Sequence, residues 1–300
     1  MENIIKEILY KENIPFEKIT KATSGFTNLV YFVDEKFVIK MSKDDTIKKK
    51  LDKETTIYQN VKLSCIPAFI AKGNVQDYQY LIISKLNGKS LYSIWHTLSN
   101  MERQSCVKQI ANILKEFNKQ NYNFLNEEYK DLEWVNYLSN ELKAKSLALI
   151  EMGFNCENID TFISNKLSDL FNKNTFGLVY NDAHFDNFIY DNGKLSLIDF
   201  DRVIACPIDY EMLIFKTMCD NPSKFASEED ENNIKDEDYM GIYEQFKAEY
   251  PEMFKDDNIE TRIAVYQFNY LIGQAIKCKD NEWIKELLNN FINKIKMMLG

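Results

Sequence analysis

One short stretch constrains the fold of this 300-residue chain more than any other, because it predicts a β-hairpin of defined register. Two apolar segments, residues 188–190 and 195–198, lie on either side of the dipeptide Asn192-Gly193. An Asn-Gly pair favours a type I′ turn, since both central residues tolerate positive φ angles. The stretch therefore predicts two antiparallel strands joined by a two-residue turn.

The predicted register brings polar side chains together at the open end of the hairpin. With a two-residue turn, Asp191 pairs with Lys194, and counting back along the strands places Asn187 opposite Ile198. Asn187 and Asp199 then lie at the same end of two strands that are about 4.8 Å apart. An amide oxygen and a carboxylate in this arrangement suit Mg²⁺, which takes few protein ligands and completes its shell with oxygens from substrate phosphates.

A second acidic residue precedes the hairpin. Asp182 lies in a polar loop after residues 176–180, an apolar run that predicts a buried strand, and five residues before Asn187. Near a metal but not needed to hold it, Asp182 would be free to orient or deprotonate a hydroxyl. The alternative is a plain surface hairpin with acidic turn residues, because this spacing taken alone also occurs by chance.

Asp182, Asn187 and residues 198–201 (IDFD) together resemble the catalytic and metal-binding loops of the protein-kinase-like superfamily. The match is closer to its aminoglycoside phosphotransferase and choline kinase branch, which phosphorylates small molecules. The resemblance implies that Asp182 is the catalytic residue and that Asn187 and Asp199 bind the metal. It also implies an α+β, two-lobed protein-kinase-like fold with a small antiparallel β N-lobe and a larger, mainly helical C-lobe.

Two positions depart from the family pattern. Tyr180 stands where many relatives have His, and Asp201 stands where protein kinases have Gly, although the latter change is common in the small-molecule branch. His184 lies in the same loop as Asp182, but Mg²⁺ prefers oxygen ligands. We expect His184 to orient the loop or contact the substrate rather than bind metal.

The first 86 residues predict an amphipathic helix followed by an antiparallel sheet. In the resembling family the turn after the first strand covers the nucleotide phosphates, which implies that Ser24, Gly25 and Thr27 bind them. Only one glycine is present in this turn, and a single glycine is a weak motif. The predicted strands are residues 16–23, 26–33, 37–41 and 78–84, with another beginning at residues 66–70.

Glu54 lies on the apolar stripe of a helix predicted over residues 46–61. An ionised carboxylate on a core-facing stripe is costly unless it is paired. Lysines 48–50 belong to the same helix, but their side chains mostly face other directions. We therefore predict an ion pair between Glu54 and Lys40, which lies at the end of the third strand. The resemblance implies that Lys40 contacts nucleotide phosphates. A solvated lysine at a strand end is the alternative.

The resemblance also implies a division of the chain after residue 86. Backbone groups of residues such as Ser84 and Leu86 would bind adenine at the strand-to-glycine junction that ends at Gly88. Residues 1–86 would form the nucleotide-binding lobe and residues 87–300 the catalytic and substrate-binding lobe.

The remaining sequence predicts helices. Following Asp199, the tripeptide Pro207-Ile208-Asp209 leads into one of them, and in the resembling family this Asp braces the catalytic loop. No long activation segment separates Asp199 from that helix, which favours a small-molecule acceptor over a protein. The predicted helices are residues 101–118, 132–149, 159–171, 239–249, 259–277 and 282–299, with one ending near residue 218.

Composition limits the partners. A net charge of −9 argues against nucleic acid and agrees with a cationic substrate. Residues 227–238 are mostly acidic, which predicts either a solvated loop or a surface that holds a cationic acceptor. Six cysteines without a Cys-x-x-Cys pair and two histidines do not predict a structural zinc site. No apolar run suits a membrane span or a signal peptide, so we expect a cytoplasmic location. We also expect a monomer or weak dimer.

These features lead to one functional hypothesis and two alternatives. The hypothesis is a Mg²⁺-dependent transfer of the γ-phosphoryl group of ATP or GTP to a hydroxyl of a small, cationic acceptor of the aminoglycoside kind. One alternative is a kinase of choline, a sugar or an amino-acid alcohol, because these relatives share the same motifs. The other is a nucleotide-binding pseudokinase that acts as a regulator.

Overall fold

The computed structural model describes residues 1–22, 29–126, 133–151, 153, 159–225, 230–277 and 282–299. The chain divides into two compact units. The first comprises Met1–Leu125 and Phe185–Val203, and the second comprises Asn126–His184 and Ile204–Gly300. The predicted assignment of nucleotide binding to residues 1–86 and of substrate binding to residues 87–300 stays a prediction.

An antiparallel sheet and two helices form the N-terminal part of the first unit, as the sequence predicts. The elements are α1 (Glu2–Lys11), β1 (Ile19–Lys21), β2 (Leu29–Val33), β3 (Phe37–Ser42), β4 (Phe69–Val75) and β5 (Tyr78–Ser84). The sheet has the strand order β1-β2-β3-β5-β4, and every neighbouring pair of its strands is antiparallel. Helix α1 packs its apolar face against the sheet through Ile5, Ile8 and Leu9.

Two strands begin later than the sequence predicts, for identifiable reasons. The backbone N–H groups of Glu17 and Lys18 donate to the carboxylate of Asp34, so β1 begins only at Ile19. Strand β4 begins after Pro67, which has no N–H to donate to a strand ladder.

Helix α2 (Asp45–Asn60) lies against the sheet and carries the predicted apolar stripe. It begins with a side-chain cap, because Asp44 Oδ1 accepts the N–H groups of Thr46 and Ile47, each at 3.0 Å. Glu54 is buried on the core-facing side, as predicted from its position on the stripe. The cap therefore sets where α2 begins, and the stripe sets which side of it faces the core.

The hairpin that the sequence predicts is present with the predicted register. Strands β8 (Phe188–Asp191) and β9 (Lys194–Leu197) pair so that Asp191 faces Lys194. The N–H of Ile198 donates to the carbonyl of Asn187 at 3.1 Å, which continues this register to the open end. Both turn residues, Asn192 and Gly193, have positive φ angles, as a type I′ turn requires.

A glutamine on the longest helix of the first unit fixes the tip of the hairpin. The elements concerned are β6 (Lys89–Ser90), α3 (Leu91–Trp95) and α4 (Asn100–Asn118). Gln109 lies on α4, and its amide group donates to the carbonyl of Gly193 while its oxygen accepts the N–H of Leu195, both at 3.0 Å. Strand β6 pairs with β8 on the other edge of the hairpin.

The second unit is mainly helical, as predicted. Its core is built around the helix Ile259–Lys277, of which most side chains are buried. A two-stranded antiparallel ladder joins β7 (Phe176–Val179) to β10 (Ile204–Pro207). Within the described ranges, no helix combines the length and apolarity that crossing a membrane requires. The helices are α5 (Trp134–Glu151), α6 (Ile159–Leu170), α7 (Met212–Asp220), α8 (Ile242–Glu249), α9 (Ile259–Lys277) and α10 (Glu282–Leu299).

Two glycines of the first unit allow a test of backbone packing beside the hairpin. Gly88 and Gly193 both have positive φ angles, but only at Gly88 would an added Cβ overlap the backbone carbonyl of Tyr190. We expect Gly193→Ala to lower the free energy of unfolding by about 1–2 kcal/mol, the cost of a left-handed conformation. Gly88→Ala should lower it clearly further, because β8 must shift. Denaturant unfolding of both variants measures the difference, and equal losses would contradict this account.

Candidate functional site

A partly buried lysine binds two carboxylates in the first unit. The Nζ atom of Lys40, on β3, lies 2.6 Å from Oε1 of Glu54 and 3.1 Å from Oδ1 of Asp199. The side chains of Lys40 and Glu54 are 12% and 1% exposed, whereas that of Asp199 is 44% exposed. The predicted Lys40–Glu54 ion pair is therefore present, and the same ammonium also holds the carboxylate that follows the hairpin.

The charges of this cluster depend on one another. Burial by itself would lower the pKa of Lys40, but the carboxylates of Asp199 and Glu54 outweigh it and raise that pKa above its ordinary value. Burial raises the pKa of Glu54, and only the Lys40 ammonium opposes it strongly. The ammonium is thus the group that keeps a carboxylate in the core of the first unit.

A second ion pair lies beside the first. Nζ of Lys50, on α2, is 3.0 Å from Oδ2 of Asp201. Sequence reasoning missed this contact, because we expected lysines 48–50 to face away from the site. The available signal was the spacing of four residues between Lys50 and Glu54, which places both side chains on one face of a helix.

Asn187 and Asp199 lie at the open end of the hairpin, as predicted. Asn187 ends a turn of 3₁₀ helix (Phe185–Asn187) and is 6% exposed, and Asp199 has a φ angle of 65°. Non-glycine residues seldom adopt this left-handed conformation, and such strain is concentrated at functional sites. One amide oxygen and one accessible carboxylate fit Mg²⁺, which takes its remaining ligands from phosphates and water.

The residues that the family resemblance assigns to the nucleotide divide into two groups. Ser24, Gly25 and Thr27 lie outside the described residues. Ser84 ends β5 and bonds to Ala68 through its backbone N–H at 2.9 Å and through its hydroxyl at 2.8 Å. Leu86 follows in the irregular segment before Gly88, and its role and that of Ser84 stay predictions.

The loop that carries Asp182 is held by a buried glutamate in the second unit. Glu211 is 0% exposed, and its two carboxylate oxygens accept the N–H groups of Tyr180 at 2.9 Å and of Asn181 at 3.1 Å. A carboxylate that accepts two consecutive backbone N–H groups fixes the backbone just before Asp182.

The expected brace, Asp209, forms no hydrogen bond with this loop among the described residues. Its carboxylate accepts the hydroxyl of Tyr266 at 3.1 Å and lies 3.8 Å from Arg262. This corrects the prediction, and the physical reason is the turn of 3₁₀ helix over Ile208–Glu211, which directs residues two apart to different sides. In the sequence, Glu211 is a second acidic residue of the same turn, immediately before the apolar helix α7, and nothing in the local pattern distinguishes it from Asp209.

Asp182 itself is 9% exposed and has a histidine beside it. The backbone carbonyl of Asp182 accepts the N–H of His184 at 2.8 Å, and Nε2 of His184 lies 3.6 Å from Oδ2 of Asp182. This separation allows attraction but exceeds a hydrogen bond. The expectation that His184 orients the loop or contacts the substrate stays a prediction.

The described part of the acidic run lies on the surface. Residues 226–229 lie outside the description, and two turns of 3₁₀ helix follow, Glu231–Asn233 and Asp236–Tyr239. Their carboxylates are mostly exposed. Both predicted alternatives, a solvated loop and a cation-binding surface, remain open.

Comparison with known protein families gives one match. A model described as the phosphotransferase enzyme family matches residues 18–226, about two thirds of the chain. The matched range contains every residue that the sequence predicted for nucleotide, metal or catalysis. No curated protein matches the sequence.

Solved structures resemble the chain over almost its whole length. An aminoglycoside phosphotransferase, APH(2")-IIa, in a ternary complex with streptomycin and ATP, has a TM-score of 0.68 at 19% identity, covering 98% of this chain and 96% of that one. A GDP complex of aminoglycoside 2'-phosphotransferase-IIIa has a TM-score of 0.68 at 16% identity, covering 99% and 98%. A choline/ethanolamine kinase family protein from Mesorhizobium loti has a TM-score of 0.57 at 8% identity, covering 99% and 95%. The predicted kinase-like fold is confirmed.

Removing the Lys40 ammonium should destabilise the protein in a pH-dependent way. In Lys40→Met, Glu54 stays buried without its cation, at a cost of roughly 3 kcal/mol at pH 7. Its folded-state pKa then lies further above the ordinary value of 4.5, so the folded state binds more protons than the unfolded state between these two values. Stability is therefore lost as pH rises, and the difference from wild type should shrink from pH 7 to pH 5.

Denaturant unfolding at both pH values tests this expectation. Lys6→Met is the control, because Lys6 forms an ion pair with Glu2 at the solvent-exposed surface, where such pairs contribute little to stability. A loss in Lys40→Met that is the same at pH 5 and pH 7 would contradict the role assigned to the ammonium.

Glu211→Gln should loosen the loop before Asp182. A carboxamide can accept only one of the two N–H groups and turns its own NH₂ toward the other, which costs about 1–3 kcal/mol. We expect amide hydrogen exchange at Tyr180 and Asn181 to accelerate about ten-fold or more relative to the amides of α9. Asp209→Asn is the matched control and should leave these two amides unchanged. An equal acceleration in both variants would mean that Glu211 has no special role.

Proposed function

Because the chain belongs to the phosphotransferase enzyme family, whose members phosphorylate hydroxyl groups of small molecules, we propose that it uses ATP or GTP to phosphorylate a small cationic acceptor of the aminoglycoside kind. The observation that supports this most directly is the Lys40 ammonium bonded to Glu54 and Asp199, with Asn187 at the same end of the hairpin. A cation and oxygen ligands of this kind suit a polyphosphate and its metal ion.

In this proposal Lys40 binds the α- and β-phosphates of the nucleotide. Glu54 accepts a hydrogen bond from the ammonium and keeps Lys40 extended toward the substrate. The pKa of Lys40 is raised, so it remains charged at neutral pH and supplies fixed positive charge. Residues 24–27 and the backbone at Ser84 and Leu86 would bind the remainder of the nucleotide.

Asn187 and Asp199 would hold Mg²⁺. When bound, the ion neutralises the charge that builds between the β- and γ-phosphate oxygens. Asp199 is the accessible carboxylate of the cluster, and Asn187 supplies a neutral oxygen, so the pair adds only one negative charge beside the phosphates. A magnesium site with few protein ligands leaves positions for the substrate.

Asp182 would align the acceptor hydroxyl and accept its proton. The hydroxyl oxygen forms a bond to the γ-phosphorus while the bond from that phosphorus to its bridging oxygen breaks, which releases nucleoside diphosphate. The transition state is loose, so the position of Asp182 matters more than its strength as a base. Glu211 contributes by fixing the backbone that precedes Asp182.

The acceptor class rests on charge and on the structural relatives. The net charge of −9 and the exposed carboxylates of residues 230–238 favour a polyamine, and solved relatives bind streptomycin and gentamicin. The similarity to a choline/ethanolamine kinase family protein supports the alternative of choline, a sugar or an amino-acid alcohol. A nucleoside triphosphate donor also fits the expected cytoplasmic location.

A nucleotide-binding pseudokinase regulator is the alternative from a different class. Its marker would be the loss of a lysine, glutamate, aspartate or asparagine that phosphoryl transfer requires. Lys40, Glu54, Asn187 and Asp199 are all present, and Lys40 forms the ion pairs described above. The geometry therefore favours an active enzyme.

Magnesium-dependent release of nucleoside diphosphate tests the proposal, measured with aminoglycosides, choline and sugar alcohols as acceptors. Asp182→Ala and Asp199→Ala should each reduce acceptor-dependent turnover by about 10²–10⁴-fold. Asp182→Ala should still bind the magnesium–nucleotide complex, because Asp182 is not assigned to the metal. Asp209→Asn serves as a matched loss of a carboxylate from the second unit.

Near-wild-type rates in either alanine variant would refute the assigned roles. Without turnover on any acceptor, nucleotide binding decides between the alternatives. Binding of magnesium–ATP or magnesium–GTP would support the pseudokinase or an untried acceptor, whereas its absence would refute the kinase.

A further inference from the structure

Helix α2 directs two charged side chains toward residues 199–201, the segment that follows the hairpin. Lys50 and Glu54 are four residues apart and so share one face of the helix. Lys50 pairs directly with Asp201 at 3.0 Å, whereas Glu54 contacts Asp199 only through the ammonium of Lys40. Both acidic residues of this segment are thus connected to α2 by a lysine.

The Lys50–Asp201 pair lies where its charge affects the first cluster. The Asp201 carboxylate is close enough to Glu54 to raise the pKa of Glu54 further. Lys50 supplies the cation that offsets Asp201, so three carboxylates share two ammonium groups in this part of the first unit. Without Lys50, the negative charge of Asp201 would act on Glu54 and push α2 away from the segment.

The residue between the two aspartates also contacts α2. The ring of Phe200 is fully buried and packs edge-on against the ring of Tyr58, with centroids 5.1 Å apart. Tyr58 follows Glu54 by one turn, so the contacts to residues 199–201 extend over two turns of the helix. The segment therefore has an apolar contact and two charged connections to the same face.

From this arrangement we infer that Lys50 and Asp201 are a positioning pair that holds α2 where Glu54 can bind Lys40, and so tune the affinity for nucleotide. The inference rests on the proposed function only for its nucleotide readout. If α2 leaves this position in some of the molecules, only the remaining fraction is competent to bind nucleotide. The apparent affinity for nucleotide is then reduced in proportion to that competent fraction. Saturating nucleotide restores the competent position, so the rate at saturation stays unchanged.

Removing either charge should raise KM for the nucleotide without lowering kcat. We expect a rise of about 2–5-fold in Lys50→Met and in Asp201→Asn, as befits a partly exposed ion pair. The double variant Lys50→Met/Asp201→Asn should be no worse than the single variants, because both remove the same interaction. The charge-reversed variant Lys50→Asp/Asp201→Lys should recover KM to within about two-fold of wild type.

Lys48→Met is the matched control. Lys48 lies on the same helix and carries the same charge, but it pairs with Asp45 of α2 itself at 3.1 Å. This control should leave KM unchanged. Equal increases in Lys48→Met and Lys50→Met would overturn the proposal, because they would indicate a general charge effect. Failure of the charge-reversed variant, or a fall in kcat at unchanged KM, would also overturn it.

Amide hydrogen exchange of α2 tests the positioning pair without nucleotide or acceptor. Lys50→Met should accelerate exchange over residues 50–58 by about 2–5-fold relative to wild type and Lys48→Met, matching the loss of one such ion pair. If wild-type protein binds no nucleotide, the proposed function fails, but the exchange experiment still decides on the pair. Equal exchange in the two lysine variants would overturn the inference even where the kinase is active.

Discussion

The ammonium of Lys40 is the group on which the candidate site depends. It binds a carboxylate 14 residues away on α2 and another 159 residues away, after the hairpin. A buried carboxylate such as Glu54 is stable only while a cation stays beside it, and the cation in turn owes its raised pKa to the carboxylates. The charges that would serve phosphoryl transfer are therefore also part of the internal stability of the first unit.

A buried carboxylate with compensated charge also holds the loop of Asp182. Here backbone N–H groups, rather than a side-chain cation, compensate the charge. Glu211 is completely buried, and the N–H groups of Tyr180 and Asn181 compensate its carboxylate. In each unit, then, a glutamate that touches no substrate in our proposal fixes a residue that does. Burying the carboxylate of such a glutamate costs desolvation energy, and hydrogen bonds of good geometry to the carboxylate offset this cost.

Local sequence predicted the parts of the site whose geometry is set by neighbouring residues. The Asn192-Gly193 turn determined the hairpin register. The position of Glu54 on the apolar stripe of α2 indicated a buried charge that requires a partner. Glu211 could not be separated from Asp209 in this way, because both are acidic residues of one short turn and only the folded chain shows which reaches the loop. The partner of Lys50 lies 151 residues away, beyond any local pattern.

Position 199 is restricted by its backbone as much as by its charge. With a φ angle of 65°, the residue there must tolerate the left-handed region, which Asp and Asn adopt more readily than other non-glycine residues. Glutamate would retain the carboxylate but lacks the short side chain that eases this conformation. The fold therefore admits very few side chains here that can also offer an oxygen to a cation. A search for distant relatives with altered chemistry should examine this position for Asn or Gly before any other replacement.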